Sequence, residues 1–205
     1  MDTKVKICGL TSVEDALAAV EAGADLLGFM LWEKSLRHVT IETAREIARR
    51  LPPTTRRVGV FVDATAEQVM FSQRICNFGA LQFHGQESPS FCRQFSVMTI
   101  KAFRVRDAAS LQAMRAYNTD AFLLDSQVEG QPGGTGETFD WPLAAAAKKF
   151  NKPIFLAGGL TPQNVAAAVR AVQPFAVDVS SGVEAAPGKK DAQKMRDFVA
   201  AARAP

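Results

Sequence analysis

The chain has little of what several function classes require. It carries only two histidines, His38 and His84, and three cysteines, Cys8, Cys76 and Cys92. Cysteines so few and so irregularly spaced build no disulfide framework and point to a reducing compartment. Two histidines without Cys or carboxylate partners at ligand spacing supply no metal centre, so no metal is expected. Charge of one sign is also scarce: 24 Lys and Arg against 21 Asp and Glu leave a net charge of +3. The basic residues are scattered rather than gathered into a stripe, which argues against nucleic acid while leaving a mild preference for anionic ligands. No apolar run approaches a membrane span, and Met1-Asp2-Thr3-Lys4 does not open a signal peptide. The expectation is a cytoplasmic protein with no membrane partner.

What is present is a rhythm. Runs rich in Val, Ile, Leu and Phe recur near 5–9, 25–30, 57–62, 80–84, 98–104, 121–125, 153–157 and 175–180. Helical patterns follow them near 12–22, 40–51, 65–77, 88–95, 107–117, 141–150, 162–171 and 189–202. Thr11-Ser12, Thr40 and Thr161-Pro162 read as helix starts, Asp191 falls inside the last helix, and Gly23 and Gly79 read as stops. Eight strand–helix units of about 26 residues predict an α/β fold, a (β/α)8 TIM barrel. No linker or low-complexity segment divides residues 1–205, so one domain is expected.

Strands covered by helices are apolar on both faces, which makes their polar residues informative. Side chains alternate along a strand. Lys6 and Cys8 therefore share a face, as do Gln82 and His84, and Asp178 and Ser180. These sets are expected to point into the barrel, with Lys6 and Asp178 meeting there because the first and eighth strands are neighbours on closure.

Functional groups also stand where the strands end. Cys8 closes the first strand before Gly9, and Asp125 closes Ala121-Phe122-Leu123-Leu124. A lone cysteine in an apolar strand is commonly a small core residue, but at a barrel mouth beside helix N-termini its thiolate is expected to be favoured and the thiol reactive. A partly buried carboxyl there is suited to donate a proton near neutrality. Cys76 and Cys92 fall in helical segments and read as core residues. Gly130–Gly136, the most glycine-dense loop, reads as a lid or a source of backbone amides, although a plain surface connection fits its composition equally well. Gly158 and Gly159 after the seventh strand, with Ser180, Ser181 and Gly182 after the eighth, occupy the usual phosphate position of such barrels. Arg37 follows the second strand, where a solvated surface charge and a bidentate grip on a carboxylate are both open. His84 ends the fourth, where ligand contact and a hydrogen-bonded structural role are both open.

Taken together, Lys-Ile-Cys-Gly-Leu (6–10), Val-Gly-Val-Phe-Val (58–62), Leu-Gln-Phe-His-Gly (81–85) and Leu-Leu-Asp-Ser (123–126) form a distinctive series. It continues with Gly-Gly-Thr-Gly-Glu-Thr-Phe-Asp-Trp (133–141), Leu-Ala-Gly-Gly-Leu (156–160) and Asp-Val-Ser-Ser-Gly-Val-Glu (178–184). Over essentially the whole chain this series resembles the phosphoribosylanthranilate isomerases of tryptophan biosynthesis. The resemblance implies an Amadori rearrangement with Cys8 as general base, Asp125 as general acid and Arg37 on the anthranilate carboxylate. One departure is Leu36, where the family commonly has a proline before that arginine. The substrate's own nitrogen relays electrons, so no cofactor is expected. The expected partners are a phosphorylated small molecule and at most a second copy of the chain, as monomer or homodimer. Related phosphosugar barrels, such as the isomerase of histidine biosynthesis and indole-glycerol-phosphate synthase, would share the phosphate loops. The first of these is expected to carry a carboxylate where Cys8 stands. A barrel that binds a phosphorylated ligand without turning it over is the alternative outside enzymes.

Overall fold

The computed structural model describes residues 3–105, 107, 109–125 and 141–204. The apolar runs form eight strands: β1 (Lys4–Cys8), β2 (Leu26–Met30), β3 (Arg56–Phe61), β4 (Ala80–Phe83), β5 (Met98–Arg104), β6 (Ala121–Asp125), β7 (Ile154–Leu156) and β8 (Ala176–Val179). They pair in parallel in chain order, and β1 closes the ring on β8 with Lys6 opposite Asp178. The helices between and after them are α1 (Val13–Glu21), α2 (Ile41–Arg50), α3 (Ala66–Cys76), α4 (Pro89–Cys92), α5 (Trp141–Ala146), α6 (Val165–Val172) and α7 (Ala192–Arg203). This is the expected (β/α)8 barrel.

Alternation along the strands divides the apolar interior into two layers. Inside the barrel, Leu26, Val58, Ala80, Ile100, Ala121, Leu123, Phe155 and Ala176 pack together. A larger cluster, with Ile7, Leu27, Phe29, Phe78, Phe83, Phe122 and Phe198 fully or almost fully buried, fills the space between sheet and helices. The small residues of the inner layer leave room for polar side chains toward the C-terminal end of the strands. That is where the site lies.

Local capping explains most helix starts. Ser12, Thr40, Thr65 and Ser88 each accept a backbone N–H from the first turn, and Gln68 completes a capping box with Thr65. The structure corrects the sequence reading at several boundaries. The expected helix at 162–171 begins at Val165, because the Asn164 side chain accepts the Thr161 N–H and holds 161–164 as a turn. The helix stop near Gly79 lies at Asn77, which takes the left-handed conformation at φ 50°. Residues 110–116 form a 3-10 helix whose first N–H, at Ser110, is accepted by Asp107 Oδ1 at 2.8 Å, α4 is a single turn, and α5 passes into a 3-10 turn over Ala147–Phe150.

The largest correction concerns the last helix. Asp191 is its N-cap rather than an interior residue, accepting from the N–H groups of Gln193 and Lys194. The preceding segment is a small antiparallel hairpin, β9 (Glu184–Ala186) and β10 (Lys189–Lys190), turning at Pro187-Gly188. The Gly130–Gly136 loop lies outside the described residues. Among the described residues, no helix is long and apolar enough to cross a membrane.

Candidate active site at the C-terminal ends of the strands

Cys8 is the last residue of β1 and 7% exposed. Its thiol fits because the facing β2 residue is Gly28, where any Cβ would stand 2.7 Å from the Cys8 sulfur. Two residues earlier on the same strand and face, Lys6 Nζ donates to both Asp178 carboxylate oxygens, at 2.9 and 3.0 Å, inside the barrel. The expected buried pair is present. Lys6 and Cys8 also act on each other electrostatically. Burial works against the Lys6 ammonium, but Asp178 and Cys8 outweigh it and hold its proton above the ordinary lysine range.

The expectation of a readily formed thiolate is not met. Burial pushes the Cys8 thiol up, and the neighbouring Lys6 charge offsets only part of that effect. The position at a strand end is as the sequence indicated; the electrostatics are set by how little water reaches it. Cys76 and Cys92 are also pushed up by burial, each to about 11, in keeping with core residues.

Across the mouth, Asp125 ends β6 and its Oδ2 lies 3.2 Å from His84 Nε2. His84 follows β4, and its other ring nitrogen, Nδ1, meets Gln82 Nε2 at 3.1 Å. Asp178 interacts electrostatically with His84 and Asp125 as well as with Lys6. The groups from β1, β4, β6 and β8 thus form one neighbourhood.

Arg37 stands on the loop after β2, bound side-on to Glu184: Nε donates to Oε1 and Nη2 to Oε2, both at 2.7 Å. Such a fork leaves the outer edge of the guanidinium, Nη1 with the second Nη2 proton, directed away from Glu184. Glu184 accepts in addition from Lys190 Nζ at 2.9 Å, and Lys190 reaches the Ser180 carbonyl at 3.1 Å. Burial alone would raise the Glu184 carboxyl, but Arg37 and Lys190 hold it below the usual range. Glu184 carries no expected role in the sequence, and Lys190, within the stretch 189–202 expected to be helical, lies instead in β10. The Pro187-Gly188 turn pair was the signal that 184–190 reverses direction.

The two glycine-bearing loops converge beside this network. A Cβ on Gly182 would run into the Leu160 carbonyl oxygen, so the loop after β8 lies directly against the loop after β7. Gly158 and Gly159 both take positive φ, and a Cβ on Gly159 would meet no atom of the described residues within 4 Å. Ser180 precedes the 3-10 turn Ser181–Val183, and its hydroxyl lies 3.5 Å from Lys190 Nζ. Among the described residues, Cys8, Arg37, His84, Asp125, Gly158, Gly159, Ser180, Ser181 and Gly182 therefore all follow or end strands at the C-terminal end of the barrel.

A closed parallel barrel with thiol, carboxyl, imidazole and guanidinium groups at the C-terminal ends of its strands defines a (β/α)8-barrel enzyme. Residues 5–201 match the model of the family described as N-(5'phosphoribosyl)anthranilate (PRA) isomerase. The chain belongs to that family. It is 53% identical to an N-(5'-phosphoribosyl)anthranilate isomerase of Geobacter sp. (strain M21), covering 98% of both chains. Against the enzyme of Pelobacter propionicus the identity is 52%, over 98% of this chain and 95% of that one. Among solved structures, phosphoribosyl anthranilate isomerase from Thermotoga maritima aligns with a TM-score of 0.92 at 41% identity, covering 99% of this chain and 100% of that one. A phosphoribosyl anthranilate isomerase in complex with reduced 1-(o-carboxyphenylamino)-1-deoxyribulose 5-phosphate aligns with a TM-score of 0.88 at 39% identity, over 99% and 100% of the two chains.

Proposed function

We propose that the chain converts N-(5'-phosphoribosyl)anthranilate to 1-(2-carboxyphenylamino)-1-deoxyribulose 5-phosphate in tryptophan biosynthesis, with Asp125 as general acid and Cys8 as general base. The observation that carries the assignment is that Cys8 and Asp125 end β1 and β6, three strands apart around one barrel mouth, in a chain of this family. Asp125 protonates the furanose ring oxygen as its bond to C1 breaks, and the anilino nitrogen lone pair forms the C1=N bond. The Cys8 thiolate takes the C2 proton. The electrons of that C–H bond form C1=C2 while the iminium pair returns to nitrogen. The enolamine becomes the ketone when its hydroxyl proton leaves and C1 gains one.

The remaining groups bind. The outer edge of Arg37, held by Glu184, suits a bidentate grip on the anthranilate carboxylate. The space beside Gly159, together with backbone N–H groups of Gly158, Ser181 and Gly182 and the Ser180 hydroxyl, suits the phosphate. Lys6 compensates the developing Cys8 thiolate and is itself balanced by Asp178. Turnover followed by the fluorescence of the anthranilate group tests the assignment. The signal of the substrate is expected to change as it is consumed, and an active-site-intact protein that leaves it unchanged would exclude the reaction.

A further inference from the structure

Gln82 is 1% exposed inside the barrel, and its role is set by where its amide points. Strand alternation puts Gln82 and His84 on the same face, and Gln82 Nε2 lies 3.1 Å from His84 Nδ1. The other end of the amide, Oε1, is buried without a hydrogen-bond partner among the described residues. A buried carbonyl left unsatisfied is costly, and in this orientation the contact of the NH2 group with His84 Nδ1 is what offsets it.

The backbone on either side of His84 is clamped independently. His84 N donates to the Phe61 carbonyl at 2.8 Å. The buried Lys101 ammonium donates to the carbonyl of Gly85 at 2.7 Å and to Glu87 at 2.9 Å, while Glu87 accepts the Gly85 N–H. With the main chain fixed, Gln82 acts on the imidazole ring alone. An amide donor facing Nδ1 requires a lone pair there, which puts the ring proton on Nε2, toward Asp125 Oδ2 at 3.2 Å. Turning the amide over would place a carbonyl at Nδ1, move the proton to that nitrogen, and aim the Nε2 lone pair at a carboxylate oxygen.

We infer that Gln82 is a positioning residue that fixes the Nε2–H tautomer of His84, so that His84 engages Asp125 Oδ2 and the acidic proton of Asp125 is carried on Oδ1. The inference rests on the reading of Asp125 as the acid. A carboxyl that accepts a hydrogen bond on one oxygen presents its own proton on the other. The site thereby selects which oxygen delivers it.

Only two histidines occur in the chain, so the test reads a single residue. Histidine labelled with 15N, observed through long-range proton–nitrogen correlations at mildly alkaline pH, distinguishes the two tautomers, and a His38→Gln variant assigns the signals. The native chain is expected to show His84 as Nε2–H. Gln82→Met is expected to shift it toward a mixture. Gln82→Glu, nearly isosteric, places a carboxylate acceptor at Nδ1 and is expected to invert it, which decides the matter should the methionine variant fold poorly. Both variants are expected to lower kcat about tenfold with KM little changed, the scale of losing an outer partner that orients a working side chain. A His84 signature of Nδ1–H in the native chain would overturn the inference. So would a signature unchanged in both variants. Full turnover by Asp125→Asn would instead remove the acid reading and leave the tautomer result standing.

Discussion

Lys6 Nζ sits between the two carboxylate oxygens of Asp178, at 2.9 and 3.0 Å, with the lysine side chain fully buried in the middle of the barrel. The pair joins the first strand to the last at the register where the ring closes. It also stands directly beneath Cys8, so a contact that helps close the fold sets the charge at the site.

Removing one member of this pair strands the other in a place water does not reach. Lys6→Met is expected to lower the unfolding free energy by roughly 3–5 kcal/mol, measured by urea denaturation. The double variant Lys6→Met/Asp178→Leu removes both charges and is expected to recover much of that loss. Strictly additive losses in the two positions would show that the ion pair contributes nothing as a pair.

In the proposed role Cys8 works as the thiolate, and burial raises the thiol. Activity limited by this group is therefore lost as pH falls through the raised value. The rising limb of kcat/KM is expected to extend above the ordinary thiol range, as is the pH dependence of Cys8 alkylation by iodoacetamide, with bound product protecting the thiol. Cys8→Ser and Asp125→Asn are each expected to lower kcat by at least about 10²-fold with little change in product affinity. Near-normal turnover in Cys8→Ser would return Cys8 to a packing role.

The side-on fork between Arg37 and Glu184 gives a prediction with two parts. Arg37→Ala is expected to cost about 2–3 kcal/mol in kcat/KM, typical of a charged hydrogen bond, and to cost much less for an analogue lacking the anthranilate carboxylate. Glu184→Gln leaves Arg37 in place but loosens the fork, and is expected to raise KM more than it lowers kcat. Equal losses with and without the substrate carboxylate would assign Arg37 another task.

Gly159 tests the phosphate loop. Its φ of +63° strains any other residue, yet the space a Cβ would enter is open. Gly159→Val is therefore expected to cost only about 1–2 kcal/mol of stability, the usual penalty of a left-handed residue. Its main effect is expected on KM and on the affinity of a phosphate-bearing product analogue. Unchanged binding of that analogue would place the phosphate elsewhere.

Much of this molecule follows from periodicity and local chemistry alone. The apolar runs on both faces dictated parallel strands under helices, and alternation put Lys6 with Cys8, Gln82 with His84, and Asp178 with Ser180. Closure of such a ring makes its first and last strands neighbours, so even the Lys6–Asp178 contact was legible. Contacts between segments distant in sequence and without a periodic pattern were not. Glu184 meets Arg37 across 147 positions, through a hairpin whose short strands carry no strong pattern of their own. Gly28 is needed because the Cys8 sulfur occupies the place of its Cβ, a relation visible only once β1 and β2 are in register. The identity of the reactive groups was set by the sequence, because a side chain's chemistry is local. Their protonation was set by the tertiary structure, because burial and opposing charge arise only when distant segments pack around the same few ångströms.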